Sequence, residues 1–121
     1  MVVGSDVENG LTAPPNLVLA VEWYRKAADQ NLPIAQYNLG RMYLFGRGVF
    51  KNASTGHALL EKAADAGEPN AMVYVAGMYL NGDGKPRDRE QAVRLYREAL
   101  GRGGLNDRNR ETAERALASA R

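Results

Sequence analysis

The chain contains no cysteine and a single histidine, His57. The first absence excludes disulfide frameworks, thiolate nucleophiles and thiolate metal sites. The second excludes a multi-histidine metal site within one chain. It also leaves histidine-based catalysis without partners, because no cysteine and no serine–acid constellation accompanies His57. Long apolar runs are missing too, and nothing approaches the roughly 20 residues that cross a bilayer, so no membrane span is expected. The opening Met1-Val2-Val3-Gly4-Ser5-Asp6 has neither a basic region nor an apolar core, unlike a secretory signal. A cytosolic protein and one whose signal has been removed both fit this beginning. Excess charge of one sign is small: the net charge is +2 and the isoelectric point is near 9.0. A nucleic-acid partner would therefore need a local basic patch.

The composition that remains is ordinary for a folded domain, with 45% hydrophobic and 25% charged residues in 121 positions. That length suits one domain with its own core. The chief signal is self-similarity at a period of 36 residues, which dictates the fold before local structure does. Laying residues 33–68 on 69–104 without a gap pairs Pro33/Pro69, Ala35/Ala71, Met42/Met78, Tyr43/Tyr79, Leu44/Leu80, Gly46/Gly82, Gly48/Gly84, Leu59/Leu95, Ala63/Ala99 and Gly67/Gly103. The frame extends backwards, since Lys26-Ala27-Ala28-Asp29 recurs as Lys62-Ala63-Ala64-Asp65.

Punctuation inside the period gives two helices per repeat. Pro33 and Pro69 suit the first turn, where a missing N–H costs nothing. The helix from Pro33 to Phe45 stops at Gly46-Arg47-Gly48, and its copy stops at Gly82-Asp83-Gly84. Second helices are expected from Ala53 to Ala66 and from Arg89 to Arg102, with Gly101 a weak spot. Asn16, Asn52 and Asp88 share one phase and are N-cap types. Asn31, Gly67 and Gly103 share another and suit the left-handed residue beyond a helix end. Small residues at Gly40/Ala76 and Ala63/Ala99 would let paired helices approach, with Leu39/Val75 and Tyr43/Tyr79 filling the layer between them. Neither helix buries its apolar stripe alone, whereas stacked repeats do.

The series Ala35-x-x-x-Leu39-Gly40-x-Met42-Tyr43-x-x-Gly46-x-Gly48-Val49, followed by Ala58 and Ala63-Ala64, resembles the Sel-one-like repeat, a relative of the tetratricopeptide repeat. The run Trp23-Tyr24-Arg25-Lys26-Ala27-Ala28 is similar to that family's second-helix ending. The resemblance covers about residues 9–103, with Val75-Ala76 in place of Leu-Gly and Phe50 where proline is common. It implies an all-α, right-handed α-α solenoid of helix-turn-helix repeats that assembles protein complexes.

In the repeat frame, Val3-Gly4 aligns with Leu39-Gly40, so residues 1–15 are expected to be a partial, flexible first repeat. Residues 16–104 then hold one partial and two complete repeats. An open face around Trp23 would be covered by upstream repeats of a longer array or by a second copy. Residues 105–121 are expected to form a capping helix. Glu111, Glu114 and Arg115 replace the phases of Val75, Met78 and Tyr79, and Leu105, Ala113, Ala116, Leu117 and Ala120 supply a narrow apolar stripe.

Few residues suggest chemistry. Gly46-x-Gly48 and Gly82-x-Gly84 lack the third glycine and the Gly-Lys-Ser/Thr of a phosphate loop, so they read as turns. Asp83, Asp88 and Glu90 lack calcium-loop spacing and read as capping and solvated groups. Asn52-Ala53-Ser54 matches a glycosylation sequon but coincides with a helix cap. Arg102, Arg108, Arg110, Arg115 and Arg121 interleave with Glu98, Asp107, Glu111 and Glu114 and contain no aromatic residue, so no nucleic-acid partner is expected. No enzyme activity, cofactor or metal is read from this chain.

What remains is a surface for a protein or peptide partner. The resemblance implies that the first helix of each pair lines a concave groove. It places Ile34, Tyr37, Arg41 and Leu44 there in one repeat and Asn70, Val73, Gly77 and Leu80 in the next. Tyrosine and arginine are the types enriched at binding hot spots. The structural alternative is self-association through the face around Trp23.

Overall fold

Proline and glycine set the limits of the helices, and the computed structural model, which describes residues 15–119, follows them closely. Six helices occur there: α1 (Pro15–Asp29), α2 (Pro33–Phe45), α3 (Ala53–Asp65), α4 (Pro69–Asn81), α5 (Arg89–Arg102) and α6 (Asp107–Ser119). No strand occurs among the described residues. The expected partial repeat before Pro15, and its flexibility, lie outside them, as do Ala120 and Arg121.

Both α2 and α4 carry proline in the first turn and end on a left-handed glycine, Gly46 at φ 66° and Gly82 at φ 73°. The N–H of Gly46 donates to the Met42 carbonyl and that of Gly82 to the Met78 carbonyl, one period apart. The second-helix ends repeat as well. Asn31 N–H donates to Ala28 O and Leu32 N–H to Ala27 O, as Gly67 N–H does to Ala64 O and Glu68 N–H to Ala63 O. This is the Schellman pairing, and it needs positive φ: Asn31 is at 62° and Gly67 at 97°. Caps open the second helices, with Asn52 Oδ1 accepting from Thr55 N–H at 3.1 Å and Asp88 Oδ1 from Gln91 N–H at 3.1 Å. Asn16 is no cap, because α1 already begins at Pro15 and takes Asn16 into its first turn. Helix α3 ends at Asp65, one residue short of the expected Ala66.

The chain divides into two compact units within α3, between Leu59 and Leu60. In the first unit, Val21 and Ala28 of α1 meet Ala35 and Leu39 of α2, flanked by Tyr24, Met42, Tyr43, Val49 and Leu59. Two glycines permit the close approaches. A Cβ on Gly48, at φ 80°, would stand 2.8 Å from Val21 Cγ2 and 3.0 Å from Leu17 O. A Cβ on Gly56 would stand 2.8 Å from Gly40 O and 2.9 Å from Leu44 Cγ, so α3 crosses α2 almost backbone on backbone.

In the second unit α4 is buried around most of its circumference, through Asn70, Ala71, Met72, Val73, Val75, Ala76 and Met78. A helix apolar on all sides needs neighbours on all sides. Helix α5 packs on it through Ala92, Tyr96 and Ala99, and α6 contacts both. Helix α6 buries Asn109 and Ala113 and keeps Ala116 and Leu117 half-buried, while Glu111, Glu114 and Arg115 face water. Its burial is one-sided.

Candidate functional site

Helix α2 carries the first repeat's expected contact residues, and its two ends fix its orientation. Leu32 O accepts the N–H groups of Ala35 and Gln36 at 3.1 Å each, and the left-handed Gly46 stops the last turn. Between those ends Ala35, Gln36, Tyr37, Leu39 and Gly40 are buried. Of the expected contact residues, Ile34 is the most open at 52% exposure, and Arg41 and Leu44 are partly open. Tyr37 is only 4% exposed. Its ring lies beneath Arg41, whose guanidinium carbon is 5.3 Å from the ring centroid, so it supports the arginine from below.

Two buried polar atoms in this region have no hydrogen-bond partner among the described residues, Gln36 Oε1 and Arg41 Nε. Beside them, a cleft of about 140 Å³ opens between α1 and α2. Leu17 and Tyr24 form one wall, Arg41, Met42 and Phe45 the other, and Arg47 closes the end. Asn38 also lines it, its Nδ2 donating to Ile34 O at 3.0 Å.

The equivalent helix of the second repeat is occupied differently. Asn70, 8% exposed, accepts at Oδ1 from Asn106 N–H at 3.1 Å and from Asn109 Nδ2 at 2.9 Å, and donates from Nδ2 to Gly104 O at 3.4 Å. Its side chain thus fastens the α5–α6 connection to the start of α4. Val73 is 4% exposed, and Gly77 and Leu80 are partly open. The structure therefore leaves Ile34 exposed and Arg41 and Leu44 partly open in the first repeat, and Leu80 partly open in the second, with Tyr37, Asn70 and Val73 buried. Sequence reasoning did not find the cleft at Arg47. Its signal is the change from Arg47 to Asp83 at one phase of the period.

The other residues singled out in the sequence take structural places. His57 is partly buried on α3. Asp88 caps α5, while Asp83 and Glu90 are exposed. No group of three or more histidine or acidic side chains able to hold a metal is found among the described residues, and no helix there is long and apolar enough to cross a membrane. The C-terminal arginines pair locally, Arg102 with Glu98, Arg110 with Asp107 and Arg115 with Glu111.

Comparison with known proteins matches the family model described as Sel1 repeat to residues 3–32, 33–68 and 69–103. The chain is 34% identical over 106 residues to an uncharacterized protein of Neisseria meningitidis serogroup B, covering 88% of this chain and 22% of that protein. It is 31% identical over 86 residues to cytochrome c oxidase assembly factor 7 of Xenopus tropicalis, covering 70% of this chain and 37% of the relative. It thus spans well under half the length of either. Among solved structures, a Sel1 repeat protein from Oxalobacter formigenes superimposes with a TM-score of 0.72 at 36% identity, over 75% of this chain and 37% of that one. The protective antigen c5321 of uropathogenic Escherichia coli, which displays an SLR fold, gives a TM-score of 0.67 over 88% of this chain and 27% of that one. At 20% identity this second likeness speaks for the fold alone. The fold class is an all-helical solenoid of repeats.

Proposed function

Because the chain belongs to the Sel1 repeat family, whose members generally act as protein-interaction scaffolds, we propose that it holds a peptide or helix of a partner protein along the first helices of its repeats, in the concave groove such repeats form. The observation that carries this reading is the partly open stripe on α2, where Ile34 is 52% exposed and the half-buried Arg41 and Leu44 follow along the helix. Two apolar side chains flanking an arginine combine buried area with a directional charge, the mixture typical of binding hot spots. Tyr37 holds Arg41 in place, and Leu80 offers the corresponding apolar contact on α4. The role needs no catalytic group, cofactor or metal. The Xenopus relative is named as an assembly factor, a task of the same kind.

The test is selection from a displayed library of short random peptides, with wild type and Ile34→Glu immobilised side by side. Wild type should enrich a family of peptides that the variant fails to retain, while both proteins keep the same helical circular dichroism. Equal retention by the two would remove α2 from the binding surface.

One observation favours a second reading, self-association through α1. Leu19 and Trp23 are 54% and 69% exposed. They occupy the phases of Gln91 and Leu95, which in the second unit line a cleft of about 380 Å³ shared with Glu61, Ala64 and Asp65 of α3. A second copy would bury the α1 face in the same manner. Light scattering should then show a dimer that Trp23→Glu dissociates, and a monomer at high concentration would end this reading.

A further inference from the structure

We propose that the cleft between α1 and α2 is an anion subsite that takes the carboxylate of an aspartate or glutamate in the partner segment. This deepens the reading of the chain as a peptide-holding scaffold and rests on it.

Arg41 states the problem. Its guanidinium carries five N–H donors and no acceptor, and a donor buried without a partner is a cost that folded proteins rarely leave standing. Here Nε is buried and unpartnered. The Tyr37 ring beneath it at 5.3 Å takes up positive charge through its face, but it offers nothing to the in-plane N–H groups. Arg47 lines the same cleft. Neither arginine forms an ion pair among the described residues, where the paired cations are Lys85, Arg102, Arg110 and Arg115. Two unpaired cations thus face one small space.

The repeat period shows that stacking does not require them. Residues that stacking requires recur at their phase, as the helix-ending glycines do, so a departure marks what is particular to one copy. The phase of Arg41 is held by Gly77 and then Ala113, and that of Arg47 by Asp83 and then Ser119. Neither later copy carries an arginine at either phase. Phe45, 56% exposed beside them, stands at the phase of Asn81.

Size and wall chemistry narrow the occupant. About 140 Å³ is close to the roughly 150 Å³ cavity that accommodates benzene, so a side chain of four or five heavy atoms fits and a whole helix or a nucleotide does not. Leu17, Tyr24, Met42 and Phe45 suit a methylene stem, and the arginine forks suit a carboxylate head, which they bind bidentately. The expected partner motif is an acidic residue with an apolar neighbour, the neighbour resting on exposed Phe45.

The experiment is a selection from a genetically encoded random peptide library, which carries carboxylates but no phosphate, against wild type and Arg47→Asp. Arg47 is exposed and the substitution imports the second copy's own Asp83, so the fold is retained, as a melting curve will check. Wild type should enrich peptides with Asp or Glu beside an apolar residue. The best of these should bind Arg47→Asp roughly tenfold or more weakly. Its Glu→Gln or Asp→Asn version should lose a comparable factor against wild type and little further against Arg47→Asp. Peptides without acidic bias, or an acid-to-amide cost that is the same for both proteins, would overturn the anion subsite while leaving the scaffold reading intact. Failure to enrich any peptide would overturn both.

Discussion

The two repeats share a backbone plan but use it differently. All seven large hydrophobic side chains open to solvent among the described residues (Val18, Leu19, Trp23, Leu32, Ile34, Phe45 and Phe50) belong to the unit ending at Leu59. The unit from Leu60 has none. Both unpartnered buried polar atoms, Gln36 Oε1 and Arg41 Nε, also lie in the first unit, at the phases where the second carries Met72 and Gly77. In the second copy α4 is given over to packing, and Asn70, at the phase of exposed Ile34, is consumed by the turn into α6. A repeat need not be uniform to stack. One copy can carry the packing while its neighbour keeps surface free for a partner.

The sharpest way to break this contrast is to remove one aromatic ring from each unit. Tyr96 is 3% exposed and Trp23 is 69% exposed. Tyr96→Ala should cost about 3–5 kcal/mol, as a lost core aromatic does. Trp23→Ala removes the larger ring yet should stay within about 0.5 kcal/mol. Urea midpoints measure both. A large loss at Trp23 would mean that the α1 face is covered in solution and that the first unit is not the open one.

A second pair of substitutions is expected to differ in sign. Gly56→Ala places a methyl 2.8 Å from the Gly40 carbonyl oxygen and 2.9 Å from Leu44 Cγ. Overpacking of this kind costs about 1–3 kcal/mol. Gly101→Ala lies inside α5 with nothing within 4 Å of the new methyl. There the helix propensity of alanine should add about 0.5–1 kcal/mol of stability. Thermal melts that moved in the same direction for both would show that the close crossing of α2 and α3 is not a tight constraint.

What sequence made legible follows from what each residue type can do alone. Pro33, Pro69, Gly46 and Gly82 have conformational preferences that neighbours do not overrule, and α2 and α4 begin and end where they require. Asn31 and Gly67 adopt positive φ at the expected phase for the same reason. Asn16 shares the phase of two true caps but follows Pro15, which opens the helix first. The proposed binding face was less legible because periodicity names an outward stripe only when the opposite stripe is polar. On α2 and α4 the apolar residues run nearly all the way round, so Tyr37 and Val73 read as outward and lie inside. Asn70 could not be placed without its partners Asn106 and Asn109, which lie 36 and 39 positions away. The Arg41–Arg47 cleft needs α1 beside it, and no pattern within α2 reports that.

The smallest expected effect tests the contrast from the second unit's side. Lys85 pairs with Glu61 and lies 5.0 Å from the centroid of the Tyr79 ring. At the same phases the chain upstream has Val49, Arg25 and Tyr43, so the tyrosine is kept and the ion pair is particular to the second copy. The hydrogen bond to Glu61 holds the Lys85 ammonium above its ordinary range, outweighing the opposing effect of burial. A base whose folded pKa is raised contributes stability below the unfolded value of 10.5 and loses it as pH rises through the folded value. Burial likewise raises the Tyr96 hydroxyl, which adds a loss of the same sign on the alkaline side. Subtraction separates the two, because Glu61→Gln removes only the ion pair. Wild type should exceed this variant by about 0.5 kcal/mol near neutrality, the scale of a partly exposed pair. The difference should vanish in strongly alkaline solution, while the Tyr96 contribution stays in both curves. A difference that persisted there would assign Glu61 to packing rather than to charge.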